Sequence, residues 1–148
     1  MKRTYKIRSR IKRHGNMGSV SYDVNSSVKP SELATLFKSS GIRRPANINR
    51  IGKMITNANL IISARKNGKL VGILRALTDF SYTCYISDLA VDRTYQDKGI
   101  GKELLRLSRK ALGGNVMILL LSSKEADAFY PHVGFEKAEN AWRLPRKK

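Results

Sequence analysis

Residues 82–91, 99–112 and 116–121 constrain this chain more than any other part of it. The first segment reads as a strand. The second carries Ile100, Leu104, Leu107 and Ala111 along one helical face, with Gly113-Gly114 as its stop signal. The third, Val116-Met117-Ile118-Leu119-Leu120-Leu121, is continuously apolar, as a strand covered on both faces is. Strand, helix and buried strand within about 40 residues make a crossover, and crossovers join parallel strands. The fold must therefore hold one parallel strand pair with a helix lying across it.

The rest of the pattern is antiparallel or helical. Residues 59–65 and 69–77 flank Lys66-Asn67-Gly68, and Asn-Gly supplies the positive φ angles of a tight hairpin turn. Residues 19–24 alternate polar and apolar side chains, which predicts a first, half-exposed strand. Residues 30–39 place Leu33, Leu36 and Phe37 at helical spacing and end near Gly41, and a second helix after Pro45 carries Ile48, Ile51, Met54 and Ile55. The turn between them, Ile42-Arg43-Arg44-Pro45, is expected to expose both arginines, with contact to an acidic acceptor as the alternative. Downstream, Ser122-Ser123-Lys124-Glu125 resembles a capping box that opens a short helix through Phe129-Tyr130. Residues 133–137 and 141–144 are expected to pair as a terminal hairpin with Trp142 packed beneath it.

These elements predict an α/β (α+β) class. At 148 residues the expected organisation is a basic N-terminal arm over residues 1–18 and a single domain over residues 19–148, large enough to need no metal or disulfide staple. The lone cysteine, Cys84, lies in an apolar, aromatic stretch with no Cys or His at metal-ligand spacing. That pattern predicts a buried, inert thiol and no metal site. No run approaches the roughly 18 apolar residues of a membrane helix, and the basic start is not followed by a signal-like apolar segment. A cytoplasmic protein with no membrane partner is expected. The formal charge of +18, from 29 Lys and Arg against 11 Asp and Glu, attracts polyanions without selecting one.

Gln96-Asp97-Lys98-Gly99-Ile100-Gly101 sits at the strand-to-helix junction, where unpaired backbone N–H groups and the positive end of the helix favour an anion. Its glycines would let the backbone approach phosphate oxygens closely. The P-loop pattern is absent, because Gly101-Lys102 is followed by Glu103. The dinucleotide fingerprint is absent too, with Leu104 where its third glycine belongs. From the residues alone, the loop is a phosphate cradle.

The segment from Leu89 to Leu105 resembles the central motif of the GNAT acyltransferases, a strand followed by Gln/Arg-x-x-Gly-x-Gly/Ala and a helix. Ala128-Phe129-Tyr130-Pro131-His132-Val133-Gly134-Phe135 is similar to that family's short helix, its tyrosine and its closing Gly-Phe. Order and spacing agree over roughly residues 20–144. The resemblance implies a GNAT fold, a central mixed, mostly antiparallel sheet splayed between two parallel strands, with flanking helices. It implies an N-acetyltransferase that passes an acetyl group from acetyl-CoA, its cosubstrate, to a primary amine in a direct ternary complex. The amides of Gln96, Asp97, Lys98, Gly99, Ile100, Gly101 and Lys102 would hold the CoA pyrophosphate. Backbone groups of Leu89, Ala90 and Val91 would bond the pantetheine arm, and Ser123 would contact the pantetheine or adenine part unless it caps the next helix.

The same resemblance assigns Tyr130 as the proton donor to the departing sulfur. Asp88, the only carboxylate in residues 82–91, is a candidate for holding the substrate ammonium or taking its proton. A buried or capping carboxylate and a water chain acting as base are the alternatives. Period-2 alternation puts Asp88 on the face opposite Tyr85, Ser87 and Leu89. In several family members the base comes from positions matching Tyr85 or Ser87, and neither is a good base here. His132 reads as a surface histidine. A homodimer is compatible with the family. The rival reading is a basic nucleic-acid-binding protein on a GNAT-like scaffold with CoA only as a ligand. Against it, the basic residues are dispersed and no nucleic-acid motif is present, so specific nucleic-acid binding is not expected.

Overall fold

In the computed structural model, which describes residues 19–25 and 27–147, the chain alternates between a mixed sheet and two helical layers. The order is β1 (Ser21–Val24), α1 (Pro30–Ser40), α2 (Ile48–Asn57), β2 (Leu60–Lys66), β3 (Lys69–Thr78), β4 (Thr83–Val91), α3 (Ile100–Leu112) and β5 (Met117–Leu120). A 3-10 turn at Arg93–Tyr95 precedes α3, and a run of 3-10 turns at Lys124–Val133 follows β5. The basic arm expected over residues 1–18 lies outside the described residues.

The sheet order is β1-β2-β3-β4-β5. The first four strands are antiparallel neighbours, while β4 and β5 are parallel and joined through α3. The crossover expected from the sequence is therefore present. The β2–β3 turn places Asn67 at φ 50° and Gly68 at φ 81°, the left-handed pair that a two-residue hairpin needs. Gly41, at φ 80°, ends α1.

Each face of the sheet buries its own apolar layer. On one, Leu60, Ile62, Val71, Leu74, Cys84 and Ile86 meet Ile100, Leu104 and Leu107 of α3. On the other, Ile61, Ile73 and Ala90 meet Leu33, Leu36 and Phe37 of α1 and Ile51 of α2. Gly72 governs how closely α3 approaches. A Cβ there would stand 3.0 Å from Ile100 Cγ2, 3.3 Å from the Ala64 Cβ and 3.4 Å from Leu104 Cδ1. The first turn of α3 can rest on β3 only because this position has no side chain. Among the described residues no helix is long and apolar enough to cross a membrane.

Three expectations fail in the C-terminal third. The capping box does not form. The 3-10 run begins at Lys124, so Ser123 is its N-cap and Ala126, not a glutamate, is the third residue. Ser123 makes no side-chain cap, and the Ser122 hydroxyl donates to Asp127 Oδ1 instead (2.9 Å). The terminal hairpin is also absent, since no strand follows β5 among the described residues. Val133 belongs to the 3-10 run and Gly134, at φ 90°, ends it. The Phe135 N–H then donates to the Tyr130 carbonyl (3.1 Å), which leaves too short a segment to pair. Trp142 is accordingly 98% exposed instead of packed. Lastly, β5 is covered only in part, with Met117 57% exposed, because no hairpin lies over it.

Candidate active site

The parallel pairing ends halfway along β4, where β5 itself ends. Thr83, Cys84, Tyr85 and Ile86 pair with Met117, Ile118, Leu119 and Leu120, and the pairing stops there. On its other edge β4 stays bound to β3 through Val91. Leu89, Ala90 and Val91 thus lie on a strand paired on one side and, among the described residues, without a strand partner on the other.

A bulge lies where the pairing ends. Arg75 is opposite Asp88 and Ala76 is opposite Ile86, so Ser87 is an extra residue in β4. The bulge corrects the alternation read from the sequence. Arg75 Nη2 donates to Ser87 Oγ (2.8 Å) while its Nε donates to Asp88 Oδ2 (2.5 Å), so Ser87 and Asp88 share one face. Leu89 is on the opposite face, packed against the α3-side layer, as alternation from Asp88 requires.

Asp88 is fully buried and bound at both oxygens. Its Oδ1 accepts from Arg44 Nε (2.5 Å) and its Oδ2 from Arg75 Nε. Arg44 also donates from Nη2 to the Ser87 carbonyl and from Nη1 to the Arg43 carbonyl, both at 2.7 Å. Arg75 reaches the Met54 carbonyl of α2 (3.3 Å). The α1–α2 connection and α2 are therefore tied to the bulge through one carboxylate. Arg43 is exposed as expected, but Arg44 is not, its side chain keeping 28% of its exposure. Sequence reasoning missed Arg75 and the tie from Arg44 to Asp88. An arginine among the buried apolar residues of β3 needs a buried partner, and Asp88 is the only carboxylate on the neighbouring strand. That pairing was the available signal.

The glycine loop follows β4 directly. Gln96 Nε2 donates to the carbonyls of Val91 (2.8 Å) and Ser40 (3.3 Å), fastening the start of the loop to the end of β4 and to α1. Asp97 (φ 62°) and Gly99 (φ 81°) adopt the left-handed conformation on either side of Lys98, and Gly99 is the N-cap of α3. No side chain caps this terminus. The first N–H groups of α3, from Ile100, Gly101 and Lys102, have no partner within the helix and point toward its open end. The Lys98 ammonium stands 5.4 Å from the Tyr95 ring centre and that of Lys66 5.5 Å. Such a helix end favours an anion. A groove lined by Lys102, Arg106 and Arg109 of α3, by β5 and by residues 133–138 adjoins it.

Phe129, the chain neighbour of Tyr130, lies against the same helix end. A Cβ on Gly101 would be 3.6 Å from its ring. The Tyr130 ring makes edge contacts with Phe129 (5.3 Å between centres) and Phe135 (5.5 Å). Burial pushes its phenol up, and the positive charge of Arg44 pulls it part of the way back. The group is a protonated phenol at neutral pH, able to give a proton.

The structure thus gathers the second half of β4, the glycine loop, Tyr130 and the Arg44–Asp88–Arg75 cluster at one end of the sheet. Ser123 is exposed beyond β5, and His132 is exposed. Cys84 is buried in the α3-side layer, and that burial pushes its thiol up, away from reactivity. Among the described residues no group of three or more His, Cys, Asp or Glu could hold a metal.

Residues 57–137 match the model of the acetyltransferase (GNAT) domain family. The chain is 30% identical over 126 residues to an uncharacterized N-acetyltransferase of Gracilaria tenuistipitata var. liui, covering 82% of this chain and 69% of that one. It is 25% identical to a probable acetyltransferase of Glycine max over 82% of its own length, and spans about half of that relative (54%). An aminoglycoside N-acetyltransferase solved in complex with CoA superposes with a TM-score of 0.66 at 14% identity, over 87% of this chain and 95% of that one.

Proposed function

This chain belongs to the GNAT acetyltransferase family, and from that membership we propose that it transfers an acetyl group from acetyl-CoA to a primary amine in a direct ternary complex. The observation that carries the proposal is the end of the β4–β5 pairing beside an uncapped, glycine-lined helix terminus. One feature offers free strand edge to an amide-bearing arm, the other offers N–H groups to a pyrophosphate, and they adjoin. The CoA bound to a neighbour of the same fold supports the reading.

The residues fit such a ligand. The amides from Gln96 to Lys102 would hold the pyrophosphate and the backbone of Leu89, Ala90 and Val91 the pantetheine arm. Ser123, whose hydroxyl makes no cap, is free to meet the ligand where β5 ends. When bound, acetyl-CoA supplies an acetyl thioester. In the transfer a C–N bond forms and the C–S bond breaks, the amine nitrogen loses one proton and the departing sulfur gains one. Tyr130 holds the proton that the sulfur takes. Both Asp88 oxygens are engaged by guanidinium groups, so a substrate ammonium would have to displace one of them. Asp88 is then a positioning residue; a water chain first takes the extra proton of the ammonium form that dominates near pH 7, and the proton the amine loses on attack replaces the one Tyr130 gives to the sulfur.

Calorimetry with CoA and thiol release with a panel of amines test this reading. Gly99→Val is expected to weaken CoA binding roughly tenfold, because a side chain at φ 81° costs about 1–2 kcal/mol in the conformation that aims the loop. Nothing lies within 4 Å of the added Cβ, so the effect comes from the backbone and not from a clash. CoA binding without thiol release would leave only a CoA-binding protein. The absence of both binding and release would overturn the proposal.

A further inference from the structure

Two guanidinium groups meet one carboxylate at the β4 bulge, which leaves one positive charge beside the end of the β4–β5 pairing. Arg75 is buried, its side chain 7% exposed, and faces inward to Met54 and Ser87. Arg44 keeps 28% of its side-chain exposure, so its guanidinium is held at the bulge and still reaches solvent. A guanidinium has five N–H groups, and Asp88, Arg43 and Ser87 engage three of those on Arg44. Among the described residues one N–H on each Nη is left, able to donate to a carboxylate or phosphate. Asp88 and the Ser87 carbonyl hold the fork in place before any substrate arrives.

We propose that Arg44 binds an oxyanion on the acceptor, so that the preferred substrate is an amine carrying a carboxylate or phosphate a few bonds from its nitrogen. The inference rests on the acetyl-transfer reading and names the class of acceptor at the same site. Ser87, whose carbonyl holds Arg44, precedes Leu89 by two residues, which is roughly 7 Å along a strand. An acceptor that touches Arg44 with its oxyanion and brings its nitrogen to the edge of β4 at Leu89 spans about that distance. The uncompensated charge at the same place repels a second ammonium group and disfavours polyamines.

A matched series tests the proposal on the intact chain: 4-aminobutyrate, 3-aminopropylphosphonate, butylamine and 1,4-diaminobutane. They share a primary amine on a short chain and differ in its far end. The expected order of kcat/KM is anionic above neutral above dicationic, with the larger of the two anionic values identifying carboxylate or phosphate. Arg44→Gln is expected to lower the ratio of kcat/KM for the better anionic amine to that for butylamine roughly tenfold or more, mainly through the KM of the anionic amine. Arg44→Lys should restore part of the loss. A purely structural role would lower all four substrates alike. Should Arg44→Gln not fold, the order measured on the natural chain decides. Equal rates, or a preference for butylamine or the diamine, overturn the inference while acetyl transfer stands. If CoA binds and no amine releases thiol, the acetyl-transfer reading fails and the acceptor inference falls with it.

Discussion

Replacement of Tyr130 by Phe is expected to lower kcat by roughly 100-fold, the usual worth of a positioned proton donor, while CoA affinity stays within about twofold. The separation follows from where the ring sits. Phenylalanine keeps the edge contacts with Phe129 and Phe135, so the wall beside the glycine loop survives and only the hydroxyl is lost. The pH profile supplies a second readout. Burial holds the phenol above the ordinary tyrosine value despite the opposing charge of Arg44, so it stays protonated through neutral pH. The natural enzyme should therefore lose activity only above about pH 10, as the proton donor ionises, and Tyr130→Phe should lack that alkaline limb. Steady-state kinetics with calorimetry on the same samples check both points. A variant with unchanged kcat would remove Tyr130 from the chemistry.

Asp88→Ala is expected to lower the free energy of unfolding by about 3–5 kcal/mol, because it leaves guanidinium groups in a buried site without their counter-charge. Arg44 keeps some contact with water and can turn outward, so the loss should fall toward the lower end, with Arg75 as the group that cannot escape. Added salt should restore little, since a buried pair is screened far less than an exposed one. Urea unfolding followed by circular dichroism measures the effect. If Asp88 were a base and not the tie between the bulge and the α1–α2 layer, its replacement would abolish turnover and leave stability nearly untouched.

What could be read from the sequence was local. Asn67-Gly68 announces its own turn, and the strand, glycine loop and helix from Leu89 onward are contiguous, so their order alone indicates an anion site. The chemistry around Asp88 is not local. Its partners stand 44 and 13 residues away, and only the folded sheet brings them together. The bulge was illegible for another reason: Cys84, Ile86, Asp88 and Ala90 are all buried, so burial alternates unbroken through Ser87, although Leu89 and Val91 now serve the same apolar layer as Cys84 and Ile86. The expected terminal hairpin failed because the close of the 3-10 run takes Gly134 and the Phe135 N–H, a competition that side-chain alternation does not show.

The exposure of Trp142 has a spectroscopic consequence. It is the sole tryptophan of the chain and is almost as open to water in the folded state as it would be when unfolded. Its intrinsic fluorescence is therefore nearly blind to loss of the sheet, and an emission-based melting curve would report stability falsely. The same blindness makes the indole a low-background beacon. A blue shift in its emission would register whatever comes to cover the C-terminal segment, with no label added.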